Sequence, residues 1–202
     1  MSGVLAQESL NASVVAMLKT YPTNGTHAYY WPSSGSWAGN TRDLFYRDTL
    51  FSIGDPFGRC YCCGLTFEVF FRAYEKYCQS HDKPFIIQNM DPYQLLNFRK
   101  QWFGADGNRK TLQNAIVSHQ MGKAIPLAQA QAGDFVQFWR VSGSGHSVIF
   151  INWTYDAMGN RNGIKYWSTQ SSTQGIGYQT EYFSGKAGVD PDQIYIARVE
   201  MD

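Results

Sequence analysis

The sequence predicts an α+β fold, with helices in the first part of the chain and an antiparallel sheet in the second. Up to Ala124 the apolar residues recur three and four positions apart, which is the helical period. From Ile125 onward they form extended runs joined by short, turn-rich links, and short links between strands imply antiparallel pairing. Helices followed by strands are typical of α+β domains.

The length of the chain indicates one domain. Its 202 residues are enough for one full hydrophobic core and few for two. We therefore predict a single domain over 1–202, in which a helical part at 1–124 packs on a curled, barrel-like sheet part at 125–202.

Composition narrows the possible partners. The chain has 17 Lys and Arg against 16 Asp and Glu and no basic run, so we expect no nucleic-acid partner. No stretch reaches the roughly 18 apolar residues of a membrane span. The first residues lack the features of a secretory signal, so the chain is either made without a signal or has lost one.

The segment GRCYCCGLTFEVFFRAYEKYC at 58–78 predicts an amphipathic helix that begins at or just after Cys62. Its apolar face comprises Phe67, Phe70, Phe71, Tyr74, Tyr77 and Cys78, and its polar face Glu68, Arg72, Glu75, Lys76 and Gln79. A thiol in the first turn of a helix lies near unpaired backbone N–H groups, which favour the thiolate. Cys62 is therefore the candidate nucleophile, whereas the other three cysteines are expected in the core.

Further helices are predicted on either side. A packing helix is expected within 3–19, where Val4 and Leu5 begin a loosely helical pattern. Asp91 is a candidate N-cap for a helix that runs to Gly104, and another helix is expected at 111–121.

Two connecting segments complete the helical part. Residues 22–43 read as a long surface loop, and 85–89 as a short extended run. Aromatic residues in the loop either cover the core or line a substrate groove; they are Tyr29, Tyr30, Trp31 and Trp37.

Five strands are predicted in the second part, at 134–141, 146–155, 163–170, 176–183 and 193–200. His146 follows the flexible run at 142–145 and should begin the second strand of a hairpin. A cysteine and a histidine far apart in sequence are the arrangement of cysteine hydrolases, although a lone strand histidine can also be structural.

The cysteine spacing also suggests a zinc site made of Cys60, Cys63, Cys78 and His81. One unbroken helix from 63 to 78 would separate the two halves by roughly 22 Å, too far for a shared ion or for a disulfide. We therefore expect neither a metal nor a cofactor.

Two motifs carry a family resemblance. Tyr61-Cys62-Cys63-Gly64-Leu65-Thr66 resembles the Asp-Cys-Ser-Gly-Leu-Val motif of papain-like enzymes of the NlpC-like and CHAP-like branch of cell-wall peptidases and amidases. The second motif of those enzymes, Pro/Ala-Gly-Asp-Leu-Val-Phe-Phe followed by Gly-His-Val-Gly-Ile-Tyr, is similar to 132–138 and 145–150. The resemblance covers roughly residues 45 to 175. Tyr61 replaces the usual aspartate, and the Tyr-x-Trp-Gly-Gly stretch is not evident at 50–58.

The resemblance implies a papain-like fold in which Cys62 is the nucleophile and His146 its base. It also implies a third polar residue, on the next strand, that orients the imidazole. Alternation places Ser168 and Gln170 on one face of that strand, and we favour Gln170 as the acceptor while Ser168 stays an alternative. The oxyanion would be held by the N–H of Cys62 and an N–H from the turn at 55–59.

The implied activity is hydrolysis of an amide bond in peptidoglycan stem peptides, as an endopeptidase or amidase, by a monomer. Such a substrate implies a secreted or periplasmic protein. Two alternatives stay open: a protein-directed acyltransferase or deamidase with the same fold, and a non-catalytic binding module. The substrate in each enzymatic case is peptidoglycan or a peptide.

Overall fold

A computed structural model describes residues 8–33, 37–104 and 107–201, and it has an α+β architecture with four helices and a curled antiparallel sheet. The helices are α1 (Asn11–Leu18), α2 (Cys62–Ser80), α3 (Pro92–Trp102) and α4 (Thr111–Ser118). The strands are β1 (Glu8–Ser9), β2 (Leu44–Tyr46), β3 (Thr49–Ser52), β4 (Gly122–Ile125), β5 (Phe135–Arg140), β6 (Gly145–Tyr155), β7 (Arg161–Gln170), β8 (Gly175–Tyr182) and β9 (Val189–Met201). No helix in the described ranges is long and apolar enough to cross a membrane.

The predicted helices are present with adjusted ends. The helix α2 begins at Cys62, as its pattern predicts. The N-terminus of α3 is closed by a capping box, in which Asp91 accepts from the backbone of Gln94 and the Gln94 side chain accepts from the backbone of Asp91. The helix α1 covers only the second half of its predicted range, and Val4 and Leu5 lie outside the described residues.

One local prediction is wrong, and one hairpin is missed. Residues 85–89 form an irregular segment that ends in a turn, where Gln88 and Asn89 both have positive φ. The hairpin of β2 and β3 is not predicted, because its two turn residues are Arg47 and Asp48 (φ 49° and 59°). Two-residue hairpin turns of this kind are usually recognised in a sequence by Asn-Gly or Asp-Gly.

All five predicted strands are confirmed and correspond to β5 to β9. Together with β1 they form a sheet in the order β1-β9-β5-β6-β7-β8, and β4 also pairs with β9. Every pairing is antiparallel. The boundary at residue 125 is therefore not sharp, because β1 and β4 come from the helical part of the chain and extend the sheet.

The sheet separates two cores, because alternate residues of each strand face opposite sides. On β6, Ile149 packs with α2 and the other helices, whereas Val148 and Phe150 belong to a second core. That second core is formed by the sheet curling around its own inner face, with Phe138 and Tyr166 among its members.

One residue assigned to the polar face of α2 lies inside the protein. Glu68 is fully buried and accepts hydrogen bonds from Tyr21 Oη (2.8 Å), Thr41 N (2.6 Å) and Thr41 Oγ1 (2.9 Å). Arg42 and Arg72 lie 3.4 and 3.9 Å from its carboxylate. Glu68 therefore fastens the aromatic loop at 22–43 to the helix that carries Cys62.

We expect Glu68→Ala to lower the free energy of unfolding by about 3 kcal/mol, because it leaves buried donors and an arginine without their acceptor. Urea denaturation at pH 7 measures this change. Glu75→Ala, at a partly exposed position of the same helix, is the control and should change stability by no more than about 0.5 kcal/mol. Equal losses in the two variants would contradict the role of Glu68 as an anchor.

Candidate active site

Cys62 occupies the first residue of α2, after Tyr61, whose extended backbone (φ −131°, ψ 165°) is the N-cap. No side chain caps this helix end. Within the described part of the chain, the backbone N–H of Cys62 has no hydrogen-bond partner. The helix N-terminus therefore presents uncompensated N–H groups beside the thiol, as the sequence predicts.

The loop before the helix approaches it closely at Gly64. A Cβ built at this position would lie 2.2 Å from the carbonyl oxygen of Ala38, so only glycine allows the loop to pack here. The same loop is held by the Tyr61 hydroxyl, which donates to the Trp37 carbonyl at 2.6 Å. These contacts fix the first turn of α2 relative to the aromatic loop.

His146 is the second residue of β6 and is buried, with 7 % of its surface exposed. Its ring lies edge-on between Phe138 (5.7 Å between ring centroids) and Tyr166 (5.5 Å), each at an interplanar angle of 79°. A ring held between two aromatic neighbours on a sheet loses little further entropy when it acts in catalysis.

Gln170, at the end of β7, fixes the proton on the imidazole. Its Oε1 lies 3.1 Å from His146 Nε2. Its Nε2 donates to Thr173 Oγ1 at 2.7 Å, and that hydroxyl donates in turn to the Gly175 carbonyl at 2.5 Å. This chain of donors assigns the Gln170 carbonyl to the histidine, so Nε2 carries the proton and Nδ1 is free to accept one.

Cys62 lines the same cleft as Cys63, His146 and Ser147. The pKa of Cys62 lies well below its usual 9.0, chiefly because the Cys63 thiol donates to it, and also because His146 stabilises the thiolate. Burial opposes this shift. The same S–H donation raises the pKa of Cys63.

The predicted nucleophile, base and orienting residue line one open cleft of about 470 Å³. Aromatic side chains form much of its wall; they are Tyr29, Trp31, Phe103 and Trp139. Trp31 is 59 % exposed and packs on Tyr61 beside the helix, whereas Trp139 packs over Gly145 beside the histidine strand. The cleft therefore runs between the helical part and the sheet.

Ser168, the alternative to Gln170, bonds to the backbone and not to His146. It is fully buried, and its hydroxyl donates to the backbone carbonyl of Ser147 at 2.8 Å. Ser168 thus ties β7 to β6, and Gln170 is the residue that reaches the imidazole.

The turn at 55–59 does not supply an oxyanion donor, contrary to the sequence-based expectation. Its N–H groups are already bonded: that of Asp55 to the Asn40 carbonyl, those of Phe57 and Arg59 to the Asp55 carboxylate, and that of Gly58 to the Asp55 carbonyl. The remaining residue of the turn is a proline. A tightly bonded Asx turn has no donor left for a substrate.

Tyr29 is a functional candidate whose position the sequence leaves undecided. Its side chain lines the cleft, and its pKa is raised chiefly by burial and also by the negative charge of the Cys62 thiolate. The phenol therefore stays protonated in the same cleft as Cys62 and can donate to an oxyanion. The backbone bridge between Tyr29 and Cys60 brings the two segments together, which no local sequence pattern reveals.

A charged group also lies behind the imidazole. Arg140 donates two hydrogen bonds to Glu181, both at 2.6 Å, and Tyr166 Oη donates to the same carboxylate at 2.6 Å. Burial raises the pKa of Glu181, but the donors Arg140 and Tyr166 outweigh it and keep the pKa below its usual value. This ionised, compensated pair adjoins the Tyr166 ring, which packs edge-on against His146.

The zinc arrangement suggested by spacing does not form. Cys60 lies before the unbroken helix α2 and Cys63 in its first turn, whereas Cys78 lies in its last turn and His81 is its C-cap. Among the described residues, no group of three or more His, Cys, Asp or Glu side chains is placed to hold a metal ion.

Comparisons of this chain with protein-family models, with curated proteins and with solved structures find no significant match.

The lowered pKa of Cys62 has a measurable consequence for alkylation. We expect iodoacetamide to label Cys62 at pH values well below 9, where an ordinary thiol reacts slowly, with the rate falling only when the pH drops through the lowered pKa. Cys63→Ala removes the largest stabilisation of the thiolate, so the inflection should move to higher pH. Mass spectrometry of labelled peptides measures both rates.

Cys60 provides the internal reference for this labelling. Burial raises its pKa to about 12, so it should stay unmodified in the folded protein at the same pH values. An inflection for Cys62 near 9 in the unsubstituted protein, or equal labelling of the two thiols, would contradict an activated nucleophile.

Proposed function

We propose that this protein is a cysteine hydrolase that cleaves an amide bond in peptidoglycan stem peptides. The observation that supports the chemistry is the contact of an acidified Cys62 thiol with His146, whose far nitrogen is held by Gln170, inside an open cleft. A nucleophile, a base and a residue that orients the base are the minimal set for acyl transfer. The choice of peptidoglycan follows the resemblance of the two sequence motifs.

In the first step, the Cys62 thiolate attacks the amide carbonyl and a tetrahedral oxyanion forms. The backbone N–H of Cys62 and the phenol of Tyr29 can donate hydrogen bonds that stabilise it. The imidazolium of His146 then protonates the departing amine, and the C–N bond breaks to leave a thioester.

In the second step, His146 removes a proton from water, which attacks the thioester carbonyl. The carboxylic acid product leaves, and the sulfur recovers its thiolate form next to the imidazolium. Gln170 keeps the same ring nitrogen protonated throughout, so the nitrogen facing Cys62 is the one that gains and loses the proton.

The cleft suits an extended peptide better than a folded one. Its two walls come from the helix start and from β6. Aromatic rings and backbone groups line the space between these walls, which is about 470 Å³. Besides the Cys62–His146 pair, Arg140 is the only charged residue among the described residues that line it, and Glu181 compensates its charge. An uncharged stretch of peptide therefore meets no repulsion near the sulfur.

Digestion of purified cell walls followed by mass analysis of the fragments tests the proposal. We expect soluble fragments with one new amine and one new carboxylate at a single position of the stem peptide. Addition of a primary amine separates hydrolysis from acyl transfer, since a transferase would give the amine-exchanged product. Labelled Cys62 without any released fragment would overturn the choice of peptidoglycan as substrate.

A further inference from the structure

A second cavity contains an arginine without a counter-ion. Arg99 of α3 is partly buried, and its guanidinium lies over Phe51 (4.8 Å to the ring centroid) and Phe103 (5.9 Å). Its Nη1 is buried without a hydrogen-bond partner, and within the described ranges no carboxylate pairs with it. Burial lowers the pKa of Arg99, which is the expected effect on an uncompensated cation.

A second unsatisfied donor belongs to the same cavity. The indole Nε1 of Trp37 is buried and also lacks a partner among the described residues. Trp37 and Arg99 both line a cavity of about 600 Å³ between the aromatic loop, the strand β3 and the helix α3. Leaving a buried donor unpaired is costly, so pairing with an acceptor in the cavity would be favourable. The Trp37 indole must turn for its N–H to reach such an acceptor, whereas the partly exposed Arg99 can donate from its other guanidinium nitrogens.

The remaining wall is mostly apolar. Leu50, Phe51, Ile53 and Pro56 line it, and Ile53 is 67 % exposed at its rim. The carboxylate of Asp55 is also part of the wall, but Arg59 neutralises it through two hydrogen bonds at 2.8 and 3.0 Å. The positive charge of Arg99 is thus the only one in this wall that has no partner.

The cavity lies next to the catalytic cleft. Phe103 contacts Arg99 and lines the cleft, and Tyr61 separates Trp37 from the first turn of α2. The stacked position of Arg99 between aromatic rings fixes the guanidinium before any ligand arrives, which reduces the entropy lost on binding.

We propose that this cavity binds a carboxylate attached to an apolar group, with Arg99 and Trp37 as donors to its oxygens. The apolar body of the ligand would occupy the wall formed by Leu50, Phe51 and Ile53. A planar guanidinium and a neighbouring indole N–H match the two oxygens of a carboxylate, and the apolar wall excludes strongly hydrated anions. The proposal is independent of the reaction at Cys62.

The test uses 4-phenylbutyrate and its primary amide as probes, with isothermal titration calorimetry on the full chain at pH 7. We expect the acid to bind about tenfold or more tightly than the amide. Arg99→Met keeps the apolar stem and should abolish this preference, and Trp37→Phe should reduce it. Arg109→Met is the matched control, because Arg109 also stacks on an aromatic ring, Trp139 at 5.0 Å, but lies outside this cavity. It should retain the preference.

Prior alkylation of Cys62 separates this site from the catalytic cleft, since binding should persist with the sulfur blocked. Equal affinities for acid and amide, or no binding of either to the unsubstituted protein, would overturn the proposal without reference to any variant. Loss of the preference in both Arg99→Met and Arg109→Met would also overturn it.

Discussion

Replacement of Cys62 by alanine is expected to lower kcat/KM for amide hydrolysis by about 10⁴-fold or more, because it removes the thiol that would form the thioester. The fold should persist, since Cys62 is partly exposed and its side chain is small. Release of fragments from cell walls measures the activity, and circular dichroism measures the fold.

Cys63→Ser is the matched control for this loss. The serine hydroxyl can still donate to the Cys62 thiolate, so we expect most of the activity to remain. If Cys63→Ser removed the activity and Cys62→Ala did not, the nucleophile would be Cys63. The assignment of Cys62 from the start of the helix would then be wrong.

The sequence predicts which residues meet in the cleft, because Cys62 and His146 are each marked by local structure. Cys62 sits where the helical period begins, and His146 follows a flexible turn that separates two strands. Alternation along β7 places Gln170 and Ser168 on one face but cannot choose between them. That choice depends on how β7 pairs with β6. The Ser168 hydroxyl bonds to the backbone carbonyl of Ser147, whereas the Gln170 side chain bonds to His146.

What the sequence cannot predict depends on contacts between distant segments. Glu68 appears on a polar helical face because its partners Tyr21 and Thr41 come from a loop. Tyr29 reaches the cleft through a single bridge to Cys60, and Arg99 meets Phe51 only because an unpredicted hairpin packs beside α3. Loops carry no periodic signal, so their docking sites stay hidden until the fold is known.

Replacement of His146 by alanine is expected to lower kcat by about 10³-fold, because the leaving amine loses its proton donor and the thiolate loses its cationic partner. The pH profile for alkylation of Cys62 should also shift to higher pH, which loss of the fold alone would not produce. Adding His146→Ala to Cys62→Ala should cause little further loss, since the two residues act as a unit.

Gln170→Ala and Ser168→Ala form a matched pair that tests how the imidazole is held. Gln170 contacts His146 Nε2 at 3.1 Å, so its removal frees the ring to adopt the other tautomer, and we expect kcat to fall by about tenfold to a hundredfold. Ser168→Ala removes a hydroxyl that contacts only the Ser147 backbone, so stability should fall while kcat changes little. The opposite result would identify Ser168 as the residue that orients the base. Since both side chains lie on one face of β7, only their reach towards the imidazole distinguishes them.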